Sequence, residues 1–283
     1  MLTDLEKQLH MYNEEQGEVS AKMARTDDYQ LVIAICTPLM KRVHSQIQQS
    51  GEMVFVDSSG NCDRQNHRIF LLMTHSTAGG LPLGILITTS ENQATITAAL
   101  QLLNSVLPAE RFFGCREDGP RVILTDDCLA LQQALNAVYP GATLILCVFH
   151  LLQAMWRWLW NSHNGVAKDH RSYLMSSFRR IVYAGTPSSL EEGYKVLTQD
   201  PTAQKYLKFL QHLAEIFKRK EEWAICFQSE LPTRGNHTNN YVESAMRILK
   251  EKVIYRLKAY NVTQMVALSP PDWRNITSAV LPM

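Results

Sequence analysis

The sequence predicts an α/β fold, a mixed five-stranded sheet flanked by helices, on three observations. Short aliphatic runs alternate with turn residues and then with helical spacing, in the order β-β-β-α-β-α-β. From residue 150 to 231 no convincing strand appears, and aromatic residues recur at helical spacing instead. With 46% hydrophobic and 19% charged residues over 283 positions, the chain can bury one sizeable core, or a core carrying a large insertion.

The elements follow in order. Residues 1–50 are polar and helical in tone, with "LVIAICTPLMKRVHSQIQQ" the first strongly apolar piece. The runs "EMVFVD" (52–57), "HRIFLLMTH" (67–75) and "PLGILITTS" (82–90) are separated by "SSGNCDRQN" and "STAGGL". These separators are rich in turn residues, so the three runs read as consecutive strands of a meander. "ENQATITAALQLLNSVL" places Ile96, Leu100 and Leu103 at helical spacing. "RVILTD" is a fourth strand, "CLALQQALNAVY" a second helix, and "ATLILC" a fifth strand.

The organisation expected is an N-terminal helical segment (1–50), the first part of the sheet core (51–150), an all-helical insertion of about five helices (151–235), a final core helix (236–266), and an irregular tail (267–283). The tail, "LSPPDWRNITSAVLPM", has three prolines and no periodic pattern.

Several classes are set aside. A formal net charge of +1 neither advertises nor excludes a nucleic-acid partner, since clustering matters more than the sum. The segment "ATLILCVFHLLQAMWRWLW" is long enough for a membrane span. It contains His150, Gln153 and Arg157, each costly in lipid, so no membrane partner is expected. The start has no apolar h-region, so no secretory signal is expected. Six cysteines without paired spacing read as reduced thiols of an intracellular protein.

Acidic residues close two of the apolar runs. Asp57 ends "MVFVD" and Asp126 ends "RVILTD", and functional groups gather where strands end in open α/β sheets. If those strands are neighbours, two carboxylates lie side by side, an arrangement that suits a hard divalent cation. Turn chemistry or helix capping explains either Asp equally well when taken alone. Strand parity separates the adjacent pair. Asp126 shares a face with Val122 and Leu124, whereas Asp127 lies on the other face, just before the helix, where a cap is expected. In "RGNHTNNYVESAMRILKEK", Glu243 sits at the edge of a buried stripe of Val242, Met246, Leu249 and Val253. It could serve as a third carboxylate. From spacing alone, Asn240-Tyr-Val-Glu243 equally fits a capping box.

Two further features carry chemistry. Cys147-Val-Phe-His150 is half of a zinc site, without a paired second half. Arg247, Lys250, Lys252, Arg256 and Lys258 form a basic strip after Glu243, either a solvated face or a phosphate-contacting one. In "WRWLW" the aromatics fall at every second position, so part of the set packs inward and one Trp is free to stack on a base.

"GPRVILTDDCLALQQALNAVYPGATLILCVFHLLQAMWRWLW" resembles the core of Mutator-like (MULE) transposases: an aspartate after an apolar strand, a helix, a Pro-containing turn, then Cys-x-x-His. "MVFVDSSGN" resembles the family's first acidic strand, and "TNNYVESAMRILK" the segment with its final glutamate. The resemblance runs from about residue 30 to 266, with its motifs in order.

It implies an RNase H-like fold, with the large all-α insertion between the fifth strand and the last core helix. It also implies a DDE triad of Asp57, Asp126 and Glu243 holding two divalent cations, Mg²⁺ or Mn²⁺. The implied activity is DNA strand cleavage and transfer at phosphorus. The resemblance gives Cys147 and His150 a site-shaping role, while the basic strip offers Arg247, Lys250 and Arg256 as candidates for DNA contact. The implied partners are transposon ends and target DNA, with no small-molecule cofactor and a homo-oligomer left open, in the nucleus. The alternative is a truncated or domesticated remnant that binds nucleic acid or protein without chemistry. It rests on the lack of a Cys/His-rich finger before the core and of a zinc motif after Glu243.

Overall fold

The structure, a computed structural model, describes residues 2–60 and 65–253. Two compact units result: Met1–Thr143 with Asn239–Met283, and Leu144–Thr238.

The first unit opens with helix α1 (Leu2–Gln16), followed by strands β1 (Ala21–Arg25) and β2 (Leu31–Ile35) and helices α2 (Pro38–Gln46) and α3 (Gln49–Glu52). The meander is β3 (Met53–Ser59), β4 (Arg68–Ser76) and β5 (Gly79–Thr88), each antiparallel to the next. Then come α4 (Gln93–Asn104), β6 (Val122–Thr125), α5 (Leu129–Val138) and β7 (Thr143–Leu146). The sheet has seven strands in the order β1-β2-β5-β4-β3-β6-β7.

The expectation of five strands is therefore corrected. The two additional strands lie in the segment expected to be helical, residues 1–50. "LVIAI" is buried at all five positions, and a continuous apolar run has no period to distinguish a buried strand from a buried helix. "AKMAR" has no β-branched residue and forms an edge strand, half exposed. Tertiary bonds hold it there. Asn13 accepts from the Ser20 and Ala21 amides and donates to the Ala21 carbonyl, fastening β1 to α1.

Helices cover the sheet because their apolar positions recur every three or four residues. On α4, Ile96, Leu100 and Leu103 are fully buried, and Leu131 and Leu135 of α5 join them in the core. Asn92 caps α4 by accepting from the Thr95 amide at 2.7 Å, and Thr37 caps α2 ahead of Pro38.

The second unit contains helices α6 (Val148–Trp160), α7 (Lys168–Val182), α8 (Pro187–Gln199), α9 (Leu207–Phe217) and α10 (Lys220–Trp223). Their core gathers Leu159, Leu174, Phe178, Phe209 and Trp223. The "WRWLW" aromatics divide. Trp158 is half-buried and stacks on His212 at 4.7 Å, whereas Trp156 and Trp160 are exposed and stack on each other at 5.0 Å.

The chain returns to the first unit with α11 (Asn240–Ile248), which packs on β3, β4 and β5 and runs into a π turn over Leu249–Val253. Of the final core helix expected within 236–266, the part past Val253 lies outside the described residues. The tail at 267–283 lies outside the described residues, and so does Cys62; the other five cysteines are free thiols. Among the described residues, no helix is long and apolar enough to cross a membrane.

One buried polar group tests the packing of this unit. His44 of α2 is 1% exposed and meets the Phe112 ring edge-on at 4.8 Å. Its Nδ1 accepts from the Phe112 amide at 3.2 Å, so Nε2 carries the proton it donates to the Leu83 carbonyl at 3.0 Å. Burial pushes its pKa down to about 4. A depressed histidine pKa adds stability above the unfolded value of about 6.5. That stability is lost as pH falls toward 4, by about 3 kcal/mol. We predict that His44→Gln, which keeps a donor and an acceptor but no titrating proton, loses less stability than wild type between pH 7.5 and pH 4.5. Urea midpoints across that range provide the check.

Candidate functional site

The site is built from the parallel pairing of β3 with β6, where Met53 faces Val122, Val54 faces Ile123 and Phe55 faces Leu124. The same 69-residue offset relates Asp57 to Asp126. Paired residues point to one face, and a step of two residues preserves that face. Asp57 thus shares the face of Phe55 on β3, and Asp126 is the first residue past β6, two beyond Leu124. The ladder stops at Phe55–Leu124. Beyond it, β3 continues to Ser59 beside β4, while β6 ends at Thr125 and turns toward α5. Both carboxylates stand where the strands part, and both residues are half-buried.

Local backbone fixes one oxygen of each. Asp57 Oδ1 accepts from the Ser58 amide at 2.7 Å. Asp126 Oδ1 accepts from the Cys128 amide at 3.2 Å. Here the capping expectation is corrected. The cap position is Cys128 rather than Asp127, and Asp126 accepts from the Cys128 amide, because a short acidic side chain two residues upstream forms an Asx-type turn. Cys128 is the formal cap and makes no side-chain cap bond. Asp127 is exposed on the opposite side and accepts from Gln132 Nε2 at 3.4 Å. On the far side of β3, Ser58 donates to Glu91, which also pairs with Arg68 at 2.9 Å. This network braces the strand beyond the fork.

Glu243 lies in the first turn of α11, where a negative charge is favoured by the helix dipole. The capping-box register of Asn240 and Glu243 is displaced by one residue, since the cap is Asn239 and Asn240 is the first helical residue. Val242, Ala245, Met246 and Leu249 form the buried stripe. Residues two apart on a helix are separated by about 200°, so Tyr241 and Glu243 flank that stripe on opposite edges. Tyr241 meets Phe55 edge-on at 5.3 Å, and its Cβ lies against Gly80 of β5. Glu243 takes the edge turned away from β5. Its Oε1 is buried. Asn239 Nδ2 donates to the Val56 carbonyl at 3.0 Å, fixing the helix start to the strand one residue before Asp57.

Cys147 is the buried cap of α6 and His150 is half-buried in its first turn, both in the second unit. The Val148 amide there donates to the His237 carbonyl at 2.9 Å. Arg247 is exposed on α11, 3.8 Å from Glu251, and Lys250 is half-buried in the π turn. Arg256 and Lys258 lie outside the described residues. Sequence reasoning did not single out Asn239, Tyr241 or Gly80. The only signals they gave were an asparagine at a helix start and a glycine beside a strand.

Residues 53–154 match the family model described as the MULE transposase domain. The match includes Asp57, Asp126, Cys147 and His150 and ends before Glu243. No curated protein matches the chain.

Close approach of α11 to β5 depends on Gly80, because a Cβ there would lie 2.9 Å from Tyr241 Cβ. Gly80→Val is expected to lower stability by about 1–3 kcal/mol through overpacking, read as a shift in the urea midpoint. An unchanged midpoint would show that the helix is not seated on this strand.

Proposed function

We propose that this chain, which carries a MULE transposase domain over residues 53–154, is the catalytic part of a Mutator-like transposase that cuts and transfers DNA strands by phosphoryl transfer. The observation that supports this reading is the parallel pairing of β3 with β6, whose register ends two residues before Asp57 and Asp126. Support for an RNase H-like core comes from the order β5-β4-β3-β6-β7: an antiparallel meander whose first strand is central and gains a parallel neighbour. Strands β1 and β2 extend the opposite edge, away from the acids.

The donor set fits divalent cations. Three carboxylates supply hard oxygen ligands of the kind Mg²⁺ and Mn²⁺ take, and two neighbouring carboxylates repel each other without a cation between them. Asp57 and Asp126 would hold the cations directly, and Glu243 would complete the shell of the second cation. Bound there, two such ions supply activation of a water or a 3′-hydroxyl and stabilisation of the leaving oxygen. The protein's own contribution is orientation. Backbone amides of Ser58 and Cys128 each hold one carboxylate oxygen.

Arg247 and Lys250 are proposed as phosphate contacts, with Arg256 continuing the strip. The exposed pairing of Arg247 with Glu251 is weak enough to yield to a phosphate. Cys147 and His150 are assigned a structural role at the start of α6. Transposon ends and target DNA are the substrates, and the nucleus is the proposed compartment.

Purified protein with Mn²⁺ and labelled DNA tests the reading. Asp57→Ala, Asp126→Ala and Glu243→Ala should each reduce cleavage by more than about a hundredfold, beyond the usual loss for an outer-shell group, while Asp127→Ala cleaves like wild type. Cleavage that survives Asp126→Ala overturns the triad. DNA binding by wild type without any cleavage points instead to a non-catalytic binding module.

A further inference from the structure

We infer that Asn239 is a positioning residue that sets the distance between Glu243 and Asp57, an assignment that rests on the catalytic reading above. Asn239 is fully buried at the cap position of α11. Asparagine at a helix cap ordinarily accepts from an amide of its own helix. Here the side chain makes no cap bond. It reaches instead across 183 residues of sequence to the Val56 carbonyl, at 3.0 Å. A carbonyl only accepts, so the amide nitrogen must face it and the side chain has one workable orientation.

That carbonyl belongs to the peptide group joining Val56 to Asp57, one residue past the last β3–β6 pair. The main chain of the same asparagine provides the second half of the link. The Glu243 amide donates to the Asn239 carbonyl at 3.0 Å. Two hydrogen bonds through one buried residue therefore join the backbone of the first acid to the backbone of the third. Phe55 and Gly80 hold α11 against the sheet through Tyr241, but apolar contacts tolerate sliding along the strand. The directed bond from Asn239 fixes the register.

The test measures Mn²⁺-dependent cleavage of labelled DNA by wild type, Asn239→Asp, Asn239→Ser and Met246→Ala. Aspartate is isosteric but cannot donate, while serine keeps a good cap and loses the reach to Val56. Both variants should raise the Mn²⁺ concentration for half-maximal cleavage by about tenfold and lower kcat. KM for DNA should stay within about twofold, as for loss of positioning rather than of substrate binding. Met246→Ala removes a buried side chain from the same helix. It should lower Tm without moving the Mn²⁺ midpoint. Wild-type Mn²⁺ dependence in both Asn239 variants overturns the inference, as does an equal shift in Met246→Ala. If wild type shows no metal-dependent cleavage, the catalytic reading itself falls, and this assignment falls with it.

Discussion

Parallel pairing of β3 with β6 brings two segments 69 residues apart into one register and then releases them after Phe55 and Leu124. Before the release, both strands are fully buried and apolar, as strands covered on both faces must be. After it, each segment carries one half-buried aspartate, Asp57 or Asp126. Everything proposed for this protein depends on that ending. A ladder two residues longer would draw the carboxylates into a closed sheet, and one a residue out of register would set them on opposite faces.

The third acid arrives by a different route. A unit of mostly helical character, Leu144–Thr238, intervenes in the chain before α11. Its first residue past that unit is Asn239, the residue whose side chain returns to β3. The clamp therefore operates at the point where the chain re-enters the sheet unit. Long excursions cost little in loop closure, so the position of α11 must be set by what it touches on return. Phe55, Gly80 and the Val56 carbonyl are those contacts.

Parts of this were legible in the sequence. The alternation of aliphatic runs and turn residues marked the meander, and the stripes of α4 and α5 marked the helices over it. Strand parity placed Asp126 and Asp127 on different faces, and the structure leaves one half-buried and the other exposed. Parity could not say which of them accepts at the start of α5, because an Asx turn and a cap differ by one residue. "LVIAI" was not legible as a strand, since its burial on every side removes the period that would identify it. Asn239 could not be read at all. Asparagine before a helix has an ordinary local role, and its partner lies 183 residues away.

Crystals grown with Mn²⁺ and examined for anomalous scattering at the manganese edge test the central claim most directly. The account predicts a peak about 2.0–2.2 Å from a carboxylate oxygen of both Asp57 and Asp126, a spacing close to that of a hard octahedral ion. A peak at some other cluster with the two aspartates turned apart, or no peak at saturating Mn²⁺, would contradict it.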